Sequence, residues 1–268
     1  MKTKNLSAQN KSEKLTTLSF CLVIAISIVC VFLMSTTITS AAKRTDGMPK
    51  TSESKTAKQY QEEGNYKLAL KLYSDRIKKN NHDYDAIFQM AECKIQLGKY
   101  QSAINDYIKY MNKTNDNVLS LKQIALTILK SGQDPWEVIE VADIALAIDS
   151  TDFDLFYYKG AAQYEAGLYK EAKNTLTKVA SIGSNNVDVY KYLGLTHAAM
   201  KEYGEAIEIT KKAIVLDSKS AGAYYNVGLF YKKMKDYHNA YVYINNAVEL
   251  GYKVDKKTYK KLYKKFRV

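Results

Sequence analysis

The stretch GKYQSAINDY, residues 98 to 107, repeats the pattern of GNYKLALKLY, residues 64 to 73, at a separation of 34 residues. Placing Ala69 under Ala103 puts Gly64 under Gly98, Tyr66 under Tyr100 and Tyr73 under Tyr107. A fixed period in the range of about 20 to 50 residues marks an array of stacked units and decides the fold before any local propensity does. The tyrosine-alanine pair returns as Tyr169/Ala172, Tyr203/Ala206 and Tyr237/Ala240. Between Ala103 and Ala172 lies one degenerate copy, DPWEVIEVADIALAIDS, in which Pro135 and Val138 stand in for the pair. The chain therefore carries six copies.

A second column precedes those positions by twelve residues: Ala57, Ala91, Leu126, Gly160, Gly194 and Gly228. Small residues at one place per unit predict a close approach of two helices. Amphipathic segments flank the column, with apolar residues three and four apart, so each unit reads as helix, turn, helix. Gly64, Gly98 and Gly167 mark the turn, where positive φ favours glycine. Lys201 and Lys235 replace glycine in the last two units, whose turns are expected to differ.

These residues resemble the tetratricopeptide repeat family, whose 34-residue unit carries an aromatic, Leu-Gly, Tyr, then Ala, a large residue and Ala. The last unit matches best, with Tyr224, Val227-Gly228, Tyr231, Ala240, Ile244 and Ala247. Two departures stand out. The family's proline near the end of the second helix is replaced by Asn81, Asn115, Ser150, Ser184, Ser218 and Tyr252, and Arg76 and Tyr110 occupy second-helix positions where alanine belongs.

The resemblance implies an all-α, right-handed α-solenoid spanning 50–254, divided as 50–83, 84–117, 118–152, 153–186, 187–220 and 221–254. Such units cannot bury their own apolar faces, so the ends need caps. Residues 255–268 supply one: Asp255 is a candidate N-cap, and Tyr259, Leu262, Tyr263 and Phe266 share a helical face otherwise ringed by lysine.

The formal charge of +12 is uneven. Residues 253–268 hold eight basic residues against Asp255, and residues 1–42 hold four lysines against Glu13. Subtracting both from 40 basic and 28 acidic residues leaves 28 against 26, so the body is nearly neutral and no nucleic-acid partner is expected. The basic tail offers a second function class, binding of an envelope polymer or anionic surface.

Residues 1–14 are basic, and 15–42 contain the apolar run LSFCLVIAISIVCVFLM, Leu18 to Met34. That run predicts a signal anchor or signal peptide, with 43–49 as linker. The corresponding expectation is a single-pass membrane protein with its repeats outside the cytoplasm, or a secreted one after cleavage near Ala42.

No catalytic chemistry is apparent. His82, His197 and His238 are scattered, Cys93 is the one cysteine of the repeats, and no phosphate loop, nucleophile elbow or metal-ligand spacing occurs. A non-enzymatic protein without cofactor or metal is expected, with a protein or peptide partner. The resemblance implies that first helices line a concave groove through Phe88, Glu92, Gln123, Thr127, Tyr157, Tyr164, Lys191, Leu195, Tyr225, Asn226, Leu229 and Lys232, with Lys233 nearby. The last three units give this groove an apolar and basic character suited to a peptide. A carboxylate clamp counted from Lys191 matches at Asn226, Lys256 and Lys260 and breaks at Leu195.

Overall fold

The computed structural model describes residues 55–266. Within them twelve helices form pairs: α1 (Ala57–Glu62) with α2 (Tyr66–Lys79), α3 (Tyr84–Gln96) with α4 (Tyr100–Thr114), α5 (Asn117–Ser131) with α6 (Pro135–Ile148), α7 (Phe153–Glu165) with α8 (Tyr169–Ser181), α9 (Val187–Ala199) with α10 (Tyr203–Leu216), and α11 (Ala221–Lys233) with α12 (Tyr237–Glu249). A thirteenth, α13 (Lys256–Phe266), closes the series. Each helix packs antiparallel on the next. First helices also touch across units, α5 with α7, α7 with α9 and α9 with α11.

Short polar side chains start many of the helices, although those after Lys99, Leu168, Glu202 and Ser220 have no side-chain cap. The backbone N–H groups of Ala86, Leu119 and Leu155 donate to the carboxylates of Asp83, Asp116 and Asp152, satisfying donors that have no partner inside the helix. Thr56 and Gln59 form a reciprocal capping box on α1. At three of the six places where the proline is missing a side-chain turn stands in: Asn80, Asp149 and Asp217 accept from the N–H two residues on, which ends one helix and aims the next.

Every turn inside a unit contains one residue in the left-handed conformation. Gly64, Gly98, Gly132 and Gly167 have φ between 65° and 78°, and Lys201 and Lys235 reach 66° and 64°. The expectation that the lysine turns differ is thus corrected. Two L-residues hold the left-handed conformation because the hydrogen bonds closing the turn demand it: Lys201 N–H donates to Ala198 O, and Glu202 N–H to His197 O.

The small-residue column sits against the second helix, and at three units it leaves no room for a methyl group. A Cβ on Gly160 would lie 2.6 Å from Leu176 Cγ, on Gly194 2.0 Å from Thr210 Oγ1, and on Gly228 2.5 Å from Ile244 Cγ1. In the third unit the fully buried small residue is Ala125, with Leu126 only partly covered. The extra residue of that unit falls in the Gly132-to-Asp134 turn, after the first helix. The column therefore continues at 34 residues from Ala91 to Ala125.

At the C-terminal end Leu262 of α13 is buried against Ala240 and Ile244 of α12, and Phe266 stacks on Tyr241 at 4.5 Å. Capping here covers the apolar face of the last second helix.

No helix among the described residues is long and apolar enough to cross a membrane. The longest, α4 and α5, have 15 residues, which at about 1.5 Å per residue falls short of a hydrocarbon core about 30 Å thick. The single-pass membrane placement is corrected on this finding. The segment 15–42 on which it was based, with 1–14 and 43–49, lies outside the described residues.

Candidate functional site

Three successive first helices, α5, α7 and α9, border an open cleft of about 400 Å³. Leu126, Leu129 and Lys130 come from α5, Tyr157 and Tyr158 from α7, and Lys191 and Tyr192 from α9. Tyr192 is the centre of an aromatic cluster: its ring lies 6.2 Å from that of Tyr157 and 5.7 Å, edge-on, from that of Tyr164. Tyr157 in turn leans on Tyr158 at 5.4 Å. Such tilted and edge-on pairs match the quadrupoles of the rings.

The phenols are held in their neutral form. Burial, with the Glu165 carboxylate second, pushes Tyr192 up to about 12, and burial with Asp154 does the same for Tyr158. Tyr157 is raised as well, by burial first and Asp188 second. Neutral hydroxyls can donate and accept, so the cluster presents ring faces for apolar contact and hydroxyls for a polar backbone. Lys191 donates to Asp188 at 2.7 Å, which orients its ammonium at the rim.

The residues that the sequence groups into one groove are distributed by the structure. Tyr157, Tyr164 and Lys191 meet around Tyr192. Leu195 and Leu229 pack against Ile207, Val227 and Phe230 between helices. Tyr225 stacks on Tyr252 at 4.3 Å and abuts the α12–α13 core. Asn226 is partly covered on α11. Lys232 lines a separate cleft beside α13. In the second unit Phe88 is enclosed edge-on by Tyr107 and Tyr110 at 5.3 and 5.2 Å, and the Tyr107 hydroxyl donates to the Glu92 carboxylate. Thr127 is fully buried, its hydroxyl donating to Gln123 O at 2.6 Å; the one-residue register shift explains why Leu126 faces the cleft instead.

Tyr192 escapes the pattern of groove positions because it stands one residue beyond Lys191. A signal was present: Tyr158 and Tyr192 are 34 residues apart, so they hold equivalent places in adjacent units.

The tetratricopeptide repeat model matches residues 221–250. A tetratricopeptide repeat protein from Parabacteroides merdae has 16% identity and a TM-score of 0.61, over 79% of this chain and 82% of that one. MamA shows 26% identity and a TM-score of 0.52, over 60% and 94%. YrrB, described as a TPR protein with an unusual peptide-binding site, has 18% identity and a TM-score of 0.52, over 72% and 97%. No curated protein matches the sequence. The described residues thus form a tetratricopeptide-repeat solenoid, a fold whose members are typically non-enzymatic scaffolds for protein–protein interaction.

Proposed function

We propose that this protein binds an extended or helical peptide of a partner protein in the cleft between α5, α7 and α9, without catalysis. The observation that carries the reading is the Tyr157–Tyr192–Tyr164 cluster beside an open volume of about 400 Å³. Aromatic side chains grouped in a partly desolvated pocket are the usual anchors of an interface. Lys130 and Lys191 against the single carboxylate of Asp188 leave the border net positive, which favours a peptide that combines apolar with acidic side chains. The fold neighbour YrrB, described as having a peptide-binding site, makes such a use of the scaffold reasonable.

The test is selection of peptides from a random display library on the full chain, followed by calorimetry with the enriched sequences. Tyr192→Ala is expected to weaken binding by about 1 to 3 kcal/mol, the range for a buried aromatic anchor. Lys191→Ala is expected to act more weakly and mostly at low salt. Enriched peptides that bind the Tyr192 variant as tightly as the wild type would remove the cleft from consideration.

A further inference from the structure

The second cleft lies where the last unit meets α13. Lys232 from the last turn of α11, Tyr237 from the first position of α12, and Lys261 and Lys265 from α13 surround about 250 Å³, with Leu262 among its walls. Lys265 reaches across to donate to the Tyr237 hydroxyl at 3.0 Å, and its ammonium lies 4.3 Å from the centre of that ring. Leu262 is only 3% exposed, so the wall it supplies is fixed by the core rather than by the lysines.

Three exposed lysines from two helices thus line the cleft, and no Asp or Glu is among its lining residues. Lys261 and Lys265 are four apart on one helix, where like charges repel, and Lys232 adds a third charge from α11. An anion seated between them relieves that repulsion. The hydroxyl adds selectivity: because the Tyr237 oxygen accepts from Lys265, its own proton is available to an incoming oxygen. A single carboxylate neutralises one of the three charges and offers two oxygens. A phosphate monoester carries close to two charges at neutral pH and three terminal oxygens, which suits three ammonium groups and one hydroxyl.

We propose that Lys232, Lys261, Lys265 and the Tyr237 hydroxyl form a binding site for a phosphate monoester at the C-terminal end of the solenoid. This site is independent of the tyrosine cleft and goes beyond the peptide-binding reading. The open volume leaves the ester's substituent in the mouth, so the phosphoryl group can belong to a phosphorylated side chain or to a small phosphorylated molecule.

Calorimetry on the full chain, at constant ionic strength set with sodium chloride, tests the proposal with three probes: inorganic phosphate, glycerol phosphate, and a phosphoserine peptide paired with its unphosphorylated form. Phosphate-dependent binding is expected, and Lys261→Ala/Lys265→Ala should weaken it about tenfold or more, as for loss of charge-assisted hydrogen bonds. Lys260→Ala, on the same helix but outside the lining, should leave it unchanged, and circular dichroism checks that all variants keep their helix content. Tighter binding of the phosphopeptide than of glycerol phosphate assigns the site to a modified protein; the reverse assigns it to a small molecule. Heat that does not exceed that of the chloride control, equal binding by wild type and double variant, or an equal loss in Lys260→Ala would each overturn the proposal.

Discussion

The first two units and the last two fill the same gap between paired helices in opposite ways. In α1–α4 the small position is alanine, Ala57 and Ala91, and the residue sixteen places on is tyrosine, Tyr73 and Tyr107, both buried. In α9–α12 the small position is glycine, Gly194 and Gly228, and its counterparts are Thr210 and Ile244. A buried tyrosine fills the space but brings a hydroxyl that needs a partner. Gln61 accepts from Tyr73 at 3.0 Å, and Glu92 accepts from Tyr107. The same unit encloses the Lys94–Asp106 ion pair. The C-terminal units instead close the gap by backbone approach. A repeat fixes where helices meet and leaves open whether polarity or contact distance holds them, so the two ends of the solenoid should fail for different reasons.

The largest expected effect is steric and C-terminal. Gly194→Ala places a methyl group 2.0 Å from Thr210 Oγ1 and 3.2 Å from Ala206 O, which should cost about 2 to 3 kcal/mol, the upper part of the overpacking range. Adding Thr210→Ala should recover much of that loss, and additive effects in denaturant titrations of the four chains would show that the contact is not what limits this position. The polar counterpart is Tyr107→Phe, which removes a hydroxyl from a fully buried ring and deprives Glu92 of its donor. A loss of about 1 to 2 kcal/mol is expected. An unchanged unfolding midpoint would mean that the phenol is a passenger and the contrast between the ends is only one of size.

The buried phenols of the fourth and fifth units predict an alkaline limit. A tyrosine whose native pKa is raised binds more protons folded than unfolded between the two values, so stability falls as pH rises there. For Tyr158 and Tyr192 the window runs from the ordinary value of 10.0 to about 12. Tyrosinate absorbance should therefore appear partly in step with loss of helix; ionisation complete before any helix is lost would contradict the burial. The smallest expected effect is a gain. Lys201→Gly relieves a left-handed L-residue at φ 66° and should stabilise by about 1 kcal/mol, slightly less for the added freedom of the unfolded chain.

The repeat was legible because Tyr/Ala and Ala/Gly columns fall on helix-contact positions, where volume is constrained. What sequence reasoning missed lies where spacing alone underdetermines register. The extra residue of the third unit can be placed on either side of the first helix, and only packing puts it in the turn, with Ala125 inward, Leu126 at the cleft and Thr127 in the core. Lys201 and Lys235 mask two left-handed turns behind an unfavourable residue type. The groove list merges positions that share a helix face but not a neighbour: Tyr225 is occupied by Tyr252, and Leu195 and Leu229 by the next helix. Tyr157 and Tyr164 were legible as candidates, whereas Tyr192, which connects them, becomes evident only through ring distances.

Amide hydrogen exchange of the full chain, with and without a saturating selected peptide, tests the central proposal most directly. The account predicts slowed exchange in α5, α7 and α9, with the second helices α6, α8 and α10 nearly unchanged, and loss of that protection in Tyr192→Ala. Protection confined to α6, α8 and α10, or to the end formed by α12 and α13, would contradict it.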